Sequence, residues 1–173
     1  TERSIIVTTK QLFYVTTPIY YVNDKPHIGH AYTSLACDVL ARYQRWLGNE
    51  VLFLTGTDEH GQKVQQSAVK KGISPQAFTD QVSESFRNLA RDMNYSNDDF
   101  IRTTETRHYK AAQALWQRIA SKGDIYLGTY SGWYCVRDEA YYHVEELIEG
   151  PDGQKLAPTG APVEWVEEQS YFF

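Results

Sequence analysis

No apolar run in this 173-residue chain approaches the ~20 residues that a membrane-spanning helix needs. Cysteine is scarce. The only two, Cys37 and Cys135, lie far apart, which excludes the disulfide framework of a small secreted domain and points to a reducing cytoplasm. Basic residues are outnumbered, 17 lysines and arginines against 22 acids. The resulting net charge of −5 argues against a broad basic footprint for nucleic acid, though not against a local one. The opening residues, TERSIIVTTK, lack the apolar core and cleavage pattern of a signal peptide. There is no internal repeat and no low-complexity stretch.

What is present suffices for a core. The chain is 42% hydrophobic and 23% charged, close to globular averages, and long enough for one domain or one domain and the beginning of another. Aromatic residues are unevenly spread: many of the 13 tyrosines and four tryptophans fall in residues 126–173, which sets the C-terminal third apart. The sequence stops at QSYFF, an apolar finish where chain ends are usually polar. The expectation is a fragment cut inside a strand.

Residues 12–17, LFYVTT, form a short apolar β-rich run closed by Pro18. From Gly29 the period becomes helical, with Leu35, Val39, Tyr43 and Trp46 on one stripe and Gly48-Asn49 as its stop. Residues 51–55, VLFLT, predict a second buried strand ended by Gly56, followed by a helix near 62–71. Ser74-Pro75 has the N-cap and first-position chemistry of a helix start, and that helix is expected to run to about Met93. Residues 100–104 suggest a third strand and 105–122 a long helix ended by Gly123. Short β-like pieces between Gly and Pro turns follow. Strand–helix alternation implies an α/β fold with a Rossmann-like parallel sheet and helices on both faces. Ligands in such sheets bind at the carboxyl ends of the strands, which here lead into residues 16–30 and 55–61.

The first of those segments holds two of the five histidines, His27 and His30, in the stretch PHIGH. A helix N-terminus gathers unpaired N–H groups and partial positive charge, and so attracts phosphate. Gly29 lets backbone and ligand approach closely. His27 and His30, three residues apart, are able to brace oxygens that gain charge as a phosphate is attacked, with no covalent step on the protein. A metal pair is disfavoured, since no third His or Cys follows at ligand spacing. Asp58 has two readings: a cap for the next helix, or a charge-assisted partner for a substrate ammonium. Asp58, Glu59 and His60 are consecutive, so they do not converge on one atom.

At this point the residues resemble a known family. PIYYVNDKPHIGHAYT, then VLFLTGTDEHGQKV, is similar to the N-terminal catalytic domain of the methionyl-tRNA synthetases, which are class I aminoacyl-tRNA synthetases. The resemblance covers nearly the whole chain from Leu12. His-x-Gly-His is shared with other class I synthetases and with nucleotidylyltransferases; the flanking Pro-Ile-Tyr-Tyr and Thr-Asp-Glu-His-Gly-Gln-Lys are closer to the methionine enzymes. The resemblance implies activation of methionine by ATP, with Mg2+ travelling on the nucleotide, and transfer to tRNA(Met) in the cytoplasm. It implies that His27, Gly29 and His30 bind ATP, with His27 and His30 catalytic. It further implies that Asp58 holds the methionine ammonium and that Ile19 and Tyr21 line the side-chain pocket.

The same resemblance divides the chain. Residues 1–11 are a tail and 12–124 the first half of the nucleotide-binding domain. Residues 125–170 are a small β-rich inserted connective domain, and 171–173 begin a returning strand. Many relatives carry a zinc knuckle in that insertion. Here Cys135 is followed by Asp138 where a second Cys is expected, and the later ligand positions hold Ala157 and Gly160, so no structural zinc is predicted. The family's second signature, Lys-Met-Ser-Lys-Ser, is absent, and the chain alone is expected to be inactive or nearly so. The competing readings are another class I synthetase or a nucleotidylyltransferase, and a non-catalytic nucleotide-binding module. Residues Arg107, Lys110, Arg118 and Lys122 on the long helix read as a solvated face rather than a tRNA patch.

Overall fold

The computed structural model describes residues 10–151 and 153–173, so most of the expected tail lies outside them. Two compact units divide at Ala112/Gln113, whereas the sequence reading sets its boundary at 124/125.

In the first unit all the described strands are parallel. They are β1 (Leu12–Thr16), β2 (Tyr20–Tyr21), β3 (Glu50–Asp58) and β4 (Asp99–Arg102). Leu54 pairs with both β1 and β4, and Thr57 with both β2 and β4. Strands β1 and β2 therefore follow one another along the same edge of β3. Their register slips between Thr16↔Leu54 and Tyr20↔Thr57, four residues opposing three. The extra residue is a bulge at Pro18, which has no N–H to give the ladder. Thr17 bridges the interruption: its N–H reaches Leu54 O at 3.1 Å, and its hydroxyl shares a 2.8 Å hydrogen bond with that of Thr55.

Gly56 does not end β3, as the sequence suggested. The strand continues to Asp58 because β2 and β4 both pair with its last residues. Glycine is required there by close approach: a Cβ would lie 2.1 Å from the Ile101 carbonyl oxygen.

The helices are α1 (Ile28–Trp46), α2 (Gln62–Lys71) and α3 (Pro75–Asp92). Ser74 caps α3, its hydroxyl accepting the Ala77 N–H at 3.2 Å, with Pro75 at the first helical position. Gly72 closes α2 in the left-handed conformation, φ 67°. Residues Val64, Ala68, Phe78, Val82 and Phe86 pack with Tyr20, Val22 and Phe100 in one core. Phe53, Thr55 and Thr57 of β3 are buried, while Leu12, Tyr14 and Leu52, which point the other way, are more than half exposed.

Helix α1 departs from its hydropathy pattern. Leu35, Val39, Tyr43 and Trp46 are exposed, and the buried residues are Ser34, Asp38 and Ala41. Asp38 is satisfied there by the Ser96 N–H and hydroxyl, both at 2.6 Å, and by Arg42 Nε at 2.7 Å. No helix of the described residues is long and apolar enough to cross a membrane.

The unit division falls inside α4 (Thr106–Ala120). The second unit holds β5 (Tyr126–Cys135), β6 (Ala140–Tyr142), β7 (Ile148–Glu149), β8 (Lys155–Leu156) and β9 (Glu164–Phe172). Strands β6, β5 and β9 form an antiparallel sheet; β7 and β8 form a small ladder of their own. Tyr171 and Phe172 pair with Leu127 and Tyr126 as the last residues of β9.

Candidate functional site

The start of α1 is built by its two histidines. His27 is the N-cap, and its Nδ1 accepts the Gly29 N–H at 3.1 Å; His30 Nδ1 accepts the His27 N–H at 3.0 Å. This is a capping box made from imidazoles in place of hydroxyl and carboxylate. It fixes the tautomer. A nitrogen that accepts carries no proton, so each neutral ring holds its proton on Nε2. The rings lie 3.8 Å apart between centroids, tilted by 31°. Gly29 makes room for this: a Cβ there would meet His27 Cε1 at 3.0 Å. The Gly29 and His27 N–H groups, expected to await an anion, are thus occupied by the rings. Donor capacity is carried outward to two Nε2–H groups, at a helix terminus with no acid in its first turn.

His30 is held from behind. Its ring meets Tyr20 edge-on at 4.8 Å and Phe86 at 5.1 Å, while Tyr20 OH bonds Ser34 Oγ at 2.9 Å. Partial burial, and then the neighbouring His27, lower the His30 pKa from its ordinary value of 6.5.

The next residue ties this corner to the acid. Tyr21 is the register partner of Asp58 on β3. Alternation sends Tyr20 toward α1 and Tyr21 to the opposite face, with Asp58 on Tyr21's side. The histidines and Asp58 therefore meet the carboxyl end of the sheet from its two faces. Ile19 and Tyr21 are exposed, 41% and 56%. Asp58 is half-buried and is not a helix cap: its Oδ1 accepts the His60 N–H at 3.4 Å, and α2 is capped by Gly61 without a side chain. Register places Tyr21 and Asp58 side by side, and Tyr20 joins them to His30.

Sequence reasoning missed the supporting ion pair. The Glu59 carboxylate, fully buried, receives Arg102 Nε and Nη2 at 2.7 and 2.9 Å, the Thr57 hydroxyl at 2.9 Å and the Thr104 hydroxyl. Arg102 also bonds Asp80 on α3 at 2.5 Å. Hydrogen bonding to Glu59 raises the guanidinium pKa further. One residue past Asp58, this network ties β3 to β4 and α3. The signal was a charged residue at the end of a buried strand, but its partner lies 43 positions away. On α4, Arg107 engages Asp99 and Glu105.

In the second unit, the residues at the positions where many relatives hold zinc do not fit the metal. Cys135 is fully buried beside Ala157 and Ala161. Asp138 is engaged by Arg137 Nε at 2.9 Å, Tyr142 OH at 3.1 Å and the Thr159 hydroxyl. The Thr159 hydroxyl is the first cause holding its pKa below the carboxylate range. Gly160 closes a turn through its N–H to Ala157 O at 2.8 Å. Two of the four ligand positions carry no donor side chain and a third is spent. Among the described residues no group of three or more His, Cys, Asp or Glu is arranged to hold a metal.

Comparison with known proteins identifies the family. The family model described as "tRNA synthetases class I (M)" matches residues 13–164. A methionine–tRNA ligase from Rickettsia typhi is 62% identical over 164 residues, covering 95% of this chain and 32% of that protein. The one from Rickettsia bellii is 64% identical over 161 residues, 93% of this chain and 31% of that protein. Among solved structures, Mycobacterium tuberculosis methionyl-tRNA synthetase in complex with methionyl-adenylate superposes with a TM-score of 0.85 at 48% identity, over 94% of this chain and 32% of that one. The chain thus spans about a third of the length of the relatives it matches. The chain belongs to the family of class I (M) tRNA synthetases.

Proposed function

We propose that the chain is the first part of a methionine–tRNA ligase of the cytoplasm. A carboxylate oxygen of methionine attacks the α-phosphorus of ATP, the bond to the bridging oxygen breaks, and pyrophosphate leaves. The 3′-terminal hydroxyl of tRNA(Met) then attacks the activated carbonyl and AMP departs. The methionine carboxylate is already ionised, so the protein need only position and neutralise. In this reading the Nε2–H groups of His27 and His30 donate to the phosphate oxygens as they gain charge. Gly29 keeps the backbone close to the nucleotide, Asp58 binds the ammonium, and Ile19 and Tyr21 contact the thioether chain. Mg2+ on ATP supplies charge neutralisation at the phosphates and rides on the nucleotide. Residues 12–124 would be the first half of the catalytic domain and 125–170 its insertion.

The observation that carries the reading is the reciprocal imidazole cap, which leaves two Nε2–H donors at a helix N-terminus, with the Tyr21–Asp58 pair on the other face of the same sheet end. The test is ATP–pyrophosphate exchange by the protein expressed from its complete reading frame. Exchange should require methionine, and His27→Asn or His30→Asn should slow it by ~10²–10³. Exchange driven by another amino acid, or undiminished in both variants, contradicts the proposal.

A further inference from the structure

Every described arginine of the first unit has an acidic partner: Arg42 with Asp38, Arg45 with Asp98, Arg87 with Glu105, Arg91 with Asp92, Arg102 with Glu59, and Arg107 with Asp99. The lysines differ: Lys10, Lys25, Lys70, Lys71 and Lys110 of this unit form no ion pair among the described residues. Lys25, Lys70 and Lys71 line one groove of about 410 Å³. Lys71 lies over the Phe78 ring at 4.9 Å. The acid nearest in sequence, Asp24, spends its Oδ1 on the backbone N–H of Lys25 at 2.7 Å. Helix α2 carries three lysines and no acid, in a chain whose net charge is −5.

The macrodipole explains lysines in the last turn of α2. It does not explain Lys25, which comes from the loop between β2 and α1 and lies two residues before His27. Two separate elements thus bring ammonium groups without an ion-pair partner to one groove, which Asp24 also lines and whose wall includes the loop leading into His27. Lysines are point charges on flexible stems, suited to successive singly charged phosphodiesters. No helix N-terminus lines the groove, as a compact polyphosphate would prefer.

We propose that this groove binds the phosphodiester backbone of RNA and leads its strand toward His27 and His30. The inference rests on the reading above that RNA is a substrate. Its test uses the protein from the complete reading frame and an in vitro transcript of tRNA(Met), followed by fluorescence anisotropy across a KCl series. The triple variant Lys25→Gln, Lys70→Gln, Lys71→Gln should weaken binding about tenfold or more and reduce the slope of log K against log [KCl] by about 2–3. Methionine-dependent exchange should be unchanged, and the triple Arg variant should retain binding. Wild-type affinity and slope in the Gln variant overturn the proposal. So does a raised KM for ATP or pyrophosphate with RNA binding intact, which assigns the groove to a small polyphosphate. Exchange by the unaltered protein reports separately on the underlying reading.

Discussion

The imidazoles at the start of α1 do two tasks with one proton each. Nδ1 closes the helix end, and Nε2–H remains a donor outside the cap. Protonating His30 at Nδ1 breaks its cap, and partial burial, then the neighbouring His27, lower its pKa. Because the folded value lies below the ordinary 6.5, the unfolded chain binds this proton more readily. The stabilisation is therefore complete above about pH 6.5 and is lost as pH falls through the lowered value. A carbon-detected NMR titration should show His30 titrating below 6.5; a midpoint at or above 6.5 means that burial and His27 do not govern this ring. Asp58 is a second case. Asp58→Ala should weaken methionine binding by ~2–5 kcal/mol while ATP binding is little changed. Normal methionine affinity in that variant means the carboxylate has another role. The start of α1 was legible in sequence from Pro26 and the helical period that sets in at Gly29, and Asp58 falls at the end of β3. Glu59 was not legible, since a buried carboxylate announces itself only through a partner such as Arg102.

Elements were predicted where propensity and tertiary context agree. The Ser74-Pro75 start of α3 follows from local backbone chemistry and stands as expected, and α2 spans Gln62–Lys71 as the reading near 62–71 placed it. The end of β3 was misplaced at Gly56 because its continuation depends on β2 and β4, which no local signal near Gly56 reveals. In α1 the apolar stripe is exposed and a buried side holds Asp38, because Ser96 and Arg42 satisfy that carboxylate from outside the periodic pattern. At this scale the Glu59–Arg102 pair makes its own prediction. Arg102→Met leaves a fully buried carboxylate without its cation and should cost ~3–5 kcal/mol in urea unfolding. Adding Glu59→Gln should recover part of that loss. A loss below ~1 kcal/mol in the single variant means the pair does not hold the end of β3 to β4.

For the whole molecule, family membership rests on most of the chain, whereas the chemistry rests on a third of the length seen in relatives. The exposed apolar residues of α1 and of the β1–β3 face leave a large surface without a described partner in this chain. The central proposal is that two imidazoles and one carboxylate, approaching the sheet end from its two faces, serve a single ligand. A structure of the protein from its complete reading frame with a non-hydrolysable methionyl-adenylate analogue tests this directly. The account predicts Asp58 within about 3 Å of the analogue's ammonium, and Nε2 of His27 or His30 at a similar distance from its phosphate-equivalent oxygens. An analogue bound with Asp58 turned away, or with both rings out of hydrogen-bond reach, would contradict it.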